Sequence, residues 1–417
     1  MCTACGSSGS SKGAAAGPLT IAVFQPFSGQ NAIFGAYDMA GCLPAVHLIN
    51  QAGGVLGHSL KCQPVDTRGD PADAIPAARQ MLATTSNLVG VLGPASDEAS
   101  ATVPIINRGK IVMFSNTGQA LFDRNTFPYF WRNQPGDDTG GYAMALYGQQ
   151  RRFTRAAFIF GADISSQGTL PALASAVPKL GGRIVTNQKI AAGQTSYRTE
   201  IERMLATNPQ VIYTEADPQT SATFFAELKQ LHGLLPIIGS NATSIQSWFS
   251  PVAKSAGPAA LSSAYAGGVA VDTSSSGPAY DAYRKSLLSS HVSQPDAYLT
   301  DPNAEARYDA TNVMALAMLA AKSTEPSVYN KWILRVTAAR SGATVVQTFA
   351  QGKAALAAGK QIQYVGPTGP EPFNQHHTST GSFVVLRFKP NGQTFTVSRF
   401  SAAQIGTLAK AAPASGG

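Results

Sequence analysis

Residues 19–66 read LTIAVFQPFSGQNAIFGAYDMAGCLPAVHLINQAGGVLGHSLKCQPVD, and this stretch decides the fold. Its opening, LTIAVFQ, is a short apolar run of strand length. Behind it, AIFGAYDMAGCLPAVHLINQAGG carries apolar residues at helical spacing and ends in a Gly pair suited to a helix C-cap. SLKCQPVD then reads as a second strand. Strand, long helix, strand is a βαβ unit, in which the two strands run parallel.

The pattern continues outward. Asp70 can cap a helix that has Pro71 in its first turn, DPADAIPAARQMLA, and LVGVLG, a helix over 98–109 and IVMFS follow. A second series opens after RNQPGDDTG at 132–140 and alternates through GYAMALYGQQ, AAFIFG, GTLPALASAVPKL, RIVTNQKI, YRTEIERMLA, QVIYTEA, TSATFFAELKQLHG and PIIGS. Such alternation predicts an α/β protein of two lobes, each a parallel sheet with helices on both faces. Long helices at about 303–321 and 325–338 come next, and GSFVVLRF and QTFTVSRF flank the turn KPNG as a hairpin.

Composition narrows the function. The chain has 417 residues, 44% hydrophobic and 13% charged, which is globular and enough for two or three units. Lys plus Arg at 31 against Asp plus Glu at 23 gives +8, spread thinly with no basic block, so the surface is mildly basic rather than shaped for nucleic acid. The most apolar stretch, TNVMALAMLAA at 311–321, is too short for a bilayer core and reads as a buried helix. No G-x-G-x-x-G, P-loop or H-E-x-x-H occurs, and the single G-x-S-x-G, Gly9 to Gly13 around Ser11, lacks a strand-turn-helix setting. His376 and His377 read as a turn pair, and His47, His58, His232 and His291 form no ligand-spaced set. No enzyme, metal or cofactor is expected.

The cysteines are Cys2, Cys5, Cys42 and Cys62. Cys2 and Cys5 form a lone C-x-x-C in a Ser/Gly-rich stretch with neither a charged n-region nor an apolar h-region. Residues 1–17 resemble the tether of a bacterial lipoprotein with Cys2 as the lipidated residue; a tag remnant is the other reading. Cys42 shares an apolar helix face with Met39, Val46 and Ile49, while Cys62 shares a strand face with Leu60. A helix packed on its neighbouring strand could join them in a disulfide, as suits an exported protein; two buried free thiols are the alternative.

Small polar residues cluster where the first lobe's strands end: GQNAIFG, GPASDE and SNTGQ. In parallel sheets that edge presents helix N-termini and binds ligands, which makes Ser96, Asp97, Ser115 and Thr117 candidates; helix capping is the competing role for each.

The opening stretch, with DTRGDPADAIPAARQML, GPASDEASATVPIINRGKIVMFSN, YFWRNQPGDDTGG, the YDATNVMALAM helix and VGPTGPEPFN, resembles the type I periplasmic binding proteins of the leucine/isoleucine/valine-binding class. The likeness covers about residues 19 to 400. It implies two Rossmann-like lobes joined by three crossovers, near 133–136, 261–266 and 362–366, so that 18–134 with 263–362 make lobe one and 135–262 with 363–410 lobe two. It also implies an extracytoplasmic, monomeric receptor that closes on a small solute and hands it to the membrane subunits of an ABC permease, with no nucleic-acid partner. A ligand-sensing receptor or amide-type regulator of the same fold is the alternative.

The resemblance places the aromatic that covers the ligand at Phe34 and the carboxylate-binding Ser pair at Ser96 and Asp97, so half of that pair is kept. The polar loop falls on Ser115, Thr117 and Gln119; lobe-two aromatics fall on Ser165 and Asp217; Tyr308 of the YDATNVMALAM helix joins the candidate set. The acid that pairs a ligand ammonium is replaced by Asn241. An amide cannot offset a desolvated ammonium, so the expected solute is not a branched-chain amino acid held in the usual way, unless Asp217 substitutes.

Overall fold

The structure, a computed structural model, describes residues 17–29, 31–273, 276–371, 373–379 and 381–414. Cys2, Cys5 and Ser11 lie outside them. The first sheet holds β1 (Leu19–Gln25), β2 (Leu60–Asp66), β3 (Leu88–Leu92), β4 (Met113–Phe114) and β5 (Phe130–Trp131) in the order β2-β1-β3-β4-β5, all parallel. Helices α1 (Ile33–Gln51), α2 (Pro71–Thr84) and α3 (Ser96–Arg108) connect them. The second sheet contains β6 (Arg155–Gly161), β7 (Arg183–Ile190), β8 (Val211–Glu215), β9 (Ile237–Gly239) and β10 (Tyr265–Val271). Its helices are α4 (Asp137–Gln150), α5 (Ile164–Gln167), α6 (Leu170–Lys179), α7 (Arg198–Leu205), α8 (Pro218–Leu231), α9 (Gln246–Ala256) and α10 (Pro258–Ala264). The strand order there, β7-β6-β8-β9-β10, repeats the pattern of the first sheet.

Local chemistry explains the elements. Asp70 caps α2 by accepting from the Ala72 N–H at 2.7 Å, with Pro71 in the first turn as its sequence predicts. Along β6, Phe158 and Phe160 pack into one core and Ala157 and Ile159 into another, the period-two alternation of a strand covered on both faces. In the first sheet Ile21 and Val23 face one core while Ala22 and Phe24 face the other. Helices α11 (Pro278–Ser289) and α12 (Pro302–Ala321) pack on the first lobe. Every residue of α12 from Pro302 to Met318 is buried, so its sequence shows no polar stripe. It packs tightly on α1 at Gly41, where an added Cβ would lie 2.3 Å from the Ala304 carbonyl oxygen.

Strand pairing corrects the expected crossovers. The resemblance puts residues 265–271 in lobe one, but β10 pairs with β9 and with β14 (Phe383–Phe388), so the chain stays in the second sheet through Val271. Residues 362–366 are not a crossover: they form β12 (Ile362–Gly366) between β11 (Thr344–Val346) and β13 (Gly369–Pro370) in a small third sheet. Ile362 and Tyr364 of that sheet belong to the first lobe's core. The predicted hairpin is β14 with β15 (Thr394–Phe400), antiparallel on the edge of the second sheet.

Cys42 and Cys62 are disulfide-bonded, their Cα atoms 6.2 Å apart and 20 residues apart in sequence, which closes α1 onto β2. Closing a loop of that length contributes about 3 kcal/mol through the unfolded chain. The double variant Cys42→Ala/Cys62→Ala is expected to lose roughly that much in urea unfolding, and reduced wild type should match it; an unchanged midpoint in either would show the bond to be energetically idle.

Candidate functional site

The parallel strands of both sheets aim their C-terminal ends at one cleft. On the first lobe it is lined from the start of α1 (Asn31, Phe34, Tyr37), from Ser96 at the start of α3 and from Asn303 at the start of α12. On the second it is lined by Asp163 and Ser165 after β6, Glu215 and Asp217 at the β8–α8 turn, Asn241 after β9, and Trp248. These positions flank the point in each sheet where strand order reverses, between β1 and β3 and between β6 and β8, where helix N-termini converge. The free space in the cleft and at its open mouth, solvent included, is about 710 Å³, of which about 60 Å³ is cavity volume.

The lobes touch across it. Asp97, buried in the first turn of α3, accepts from the Ser165 N–H and hydroxyl of the other lobe, both at 3.0 Å, and from Asn31 Nδ2 at 2.8 Å. Burial raises its pKa and the nearby Asp163 raises it further, while these hydrogen bonds pull it back.

The lining carries four carboxylates, Asp137, Asp163, Glu215 and Asp217, and no Lys, Arg or His. Two of them have helical work. Asp163 caps α5 by accepting from Ser166, and Asp217 caps α8 by accepting from the Gln219 and Thr220 N–H groups at 3.0 Å. Asp137 and Glu215 accept no hydrogen bond among the described residues. Glu215 is only 8% exposed. Burial drives its pKa well above the usual carboxylate range, and Asp137, Asp163 and Asp97 push the same way; the Ser240 hydroxyl opposes them from outside hydrogen-bond geometry. Asp137 is pushed up to about 7, first by burial, with Arg132 opposing and Asp138 and Asp123 adding. Its carboxylate packs against Gly118 and Gly168, where an added Cβ would come within 1.7 and 1.9 Å of it.

The profile of the periplasmic binding protein family matches residues 18–393. The chain belongs to that family. Curated relatives include an amino acid binding protein of Pseudomonas aeruginosa, 24% identical over 200 residues (47% of this chain, 53% of that protein), and the Leu/Ile/Val-binding protein homolog 3 of Brucella melitensis, 27% identical over 207 residues (48% and 55%). The chain spans about half the length of the curated relatives it matches. Among solved structures, a leucine binding protein from Thermotoga maritima superimposes with a TM-score of 0.72 at 18% identity, covering 92% of this chain and 99% of that one. A solute binding protein of R. palustris in complex with benzoate superimposes with 0.69 at 17% identity, covering 92% and 96%. Identities this low establish the shared fold of two α/β lobes.

Of the residues that the family resemblance singled out, Phe34, Ser96, Ser165, Asp217 and Asn241 line the cleft of this periplasmic binding protein. The others do not. Asp97 spans the lobes instead of facing the cavity. Ser115 donates to the Pro94 carbonyl at 2.7 Å and accepts from Thr117 N–H, so its hydroxyl holds its own loop. Thr117 is fully buried against Ser96, and Gln119 Nε2 donates back to the Ser96 carbonyl at 2.8 Å. Tyr308 lies in a cluster of tyrosines, its ring 5.2 Å from that of Tyr283. Asn241 turns its Oδ1 to the Ala242 N–H at 2.9 Å. Sequence reasoning missed Glu215 and Asp137. Glu215 ends the strand QVIYTEA, and a lone acid in an apolar strand was the signal available; Asp137 sits in RNQPGDDTG, which reads as a turn.

Proposed function

We propose that this periplasmic binding protein is the extracytoplasmic receptor of an ABC importer, trapping a small organic solute between its lobes by hinge closure and presenting the closed form to the permease. The carrying observation is the Asp97–Ser165 contact, which joins the lobes at the rim of a cleft lined from both. A contact available only when the lobes meet favours the closed state, and a solute that touches both lobes shifts the population the same way. Solved neighbours held isoleucine and benzoate, so the fold accommodates solutes of that size. The Cys42–Cys62 disulfide suits an oxidising compartment outside the cytoplasm.

Energy transfer between dyes on Lys61 of one lobe and Lys189 of the other, each replaced by Cys, should rise when a solute from a library of amino acids, amides, aromatic acids and amines binds, and the same solute should raise the melting temperature. A library in which nothing moves either signal overturns the receptor reading. Asp97→Ala removes two hydrogen bonds to a carboxylate in the closed form; each such bond is worth about 1.5–3 kcal/mol, so solute affinity should fall at least roughly tenfold. An unchanged Kd would show that the contact has no part in closure.

A further inference from the structure

Within the receptor reading, on which this inference rests, the cleft's charge selects a class of solute. We infer that it takes an organic cation without a carboxylate, an amine or guanidinium compound whose charged end faces Asp137 and Glu215 and whose apolar body lies against Phe34 and Trp248.

The first support is Glu215, more than nine-tenths buried and lining the cavity, where the neutral Ser240 hydroxyl is set against three carboxylates, Asp137, Asp163 and Asp97, that act on it. A single neutral hydroxyl does not offset a buried carboxylate among other acids, which is costly unless a cation or a proton meets it. Side chains nearby do not meet that need. Arg132, the cation acting on Asp137, is paired with Asp123 and donates to the Thr117 and Gln119 carbonyls, behind the lining rather than in it. The second support is on the opposite wall, where a zwitterion would need donors for its carboxylate. The polar groups that line it already donate within the protein, Ser96 to Thr117, Asn31 to Asp97, Asn116 to the Tyr37 hydroxyl and Gln134 to Asn303, while Asp97 beside Ser96 would repel an anion. The third is aromatic: Phe34, Tyr37 and Trp248 line the same cavity, and ring faces attract organic cations. A bare metal ion fits poorly, because the described residues contain no group of three or more His, Cys, Asp or Glu side chains able to hold one.

The test compares solutes that differ only by a carboxylate: 3-methylbutylamine with leucine, 2-phenylethylamine with phenylalanine, and agmatine with arginine, titrated calorimetrically into the full chain at pH 7.5. In at least one pair the amine should bind at least roughly tenfold more tightly than its amino acid. Glu215→Gln and Asp137→Asn should each weaken that amine by at least roughly tenfold, while the ligand-free melting temperature holds or rises because the cost of burying an acid at that pH has gone. That second readout separates lost binding from failed folding. Amino acids binding as well as their amines in all three pairs would overturn the cation class and leave the receptor reading standing. Absence of binding by all three amines would also overturn it, and the dye-pair library then decides the receptor reading separately.

Discussion

Arg307→Met is expected to destabilise the first lobe by roughly 3–5 kcal/mol, the cost of removing one partner from a buried charge network. Arg307 is fully buried on α12. Its Nη1 donates to the Phe114 carbonyl at 2.8 Å, its Nη2 donates to Asn133 Oδ1 at 3.0 Å, and its Nε lies 3.8 Å from Asp38 Oδ1 on α1. One side chain therefore ties together the end of β4, the chain segment leading into the second lobe, and the helix that opens the cleft. Burial pushes Asp38 up to about 7 even with Arg307 beside it, so deleting the guanidinium leaves an acid held only by Gln25 Nε2 at 2.8 Å. Arg307→Lys keeps the charge but not the two-armed donation and should fall between. Adding Asp38→Asn to Arg307→Met should restore part of the loss, which a double-mutant cycle in urea would measure. A loss below about 1 kcal/mol for Arg307→Met would show the network to be passive.

How legible such features were in the sequence depends on their range. The βαβ alternation was plain because helix and strand periods are local, and Asp70 with Pro71 marked its helix start within one turn. Strand membership was not local. YAGGVAV is an apolar run that would suit either lobe, and only its pairing with β9 and β14 decides for the second. The third sheet escaped notice because β11 and β13 are three and two residues long, below any periodic signal. The disulfide was one of two open readings, since adjacency of α1 and β2 was inferable but the distance between the sulfurs was not.

The site followed the same rule. Small polar residues after the strands located the cleft, because in a parallel sheet that edge is fixed by topology. Which way each side chain turns was invisible: Ser115 and Gln119 satisfy their own loop, and Asp97 reaches across to Ser165. The net charge of +8 concealed that the cleft lining is wholly acidic among its ionisable groups, because whole-chain charge averages over surface and cavity.

Stability is expected to fall as pH rises from about 5 to about 8, because several buried carboxyls hold their protons in the folded protein; two of them, Asp309 and Glu371, lie together between the first lobe and the segments that lead into the second. Burial pushes Asp309 from 3.8 up to about 7 against hydrogen bonds from Thr368 and Tyr364. Burial pushes Glu371 from 4.5 up to about 8, with Asp309 adding to the rise and Asn133, Thr368 and Arg307 opposing it. The Thr368 hydroxyl faces both Asp309 Oδ2 and Glu371 Oε1, yet it has one proton to give, so two charged carboxylates cannot both be served. In the unfolded chain both acids lose their protons near pH 4. Between there and pH 7–8 the folded protein therefore holds protons that the unfolded chain has released. Its stability declines with pH by roughly 1.4 kcal/mol per unit for each proton so held, being complete below the unfolded pKa and lost above the folded one. The pair titrates as a unit, so the slope belongs to both. Asp309→Asn should flatten it and raise stability at pH 8, read as urea midpoints of variant and wild type at pH 5 and pH 8. A wild-type midpoint that climbs between those two pH values would mean that these acids are ionised in the folded protein, with the Arg307 network holding them so.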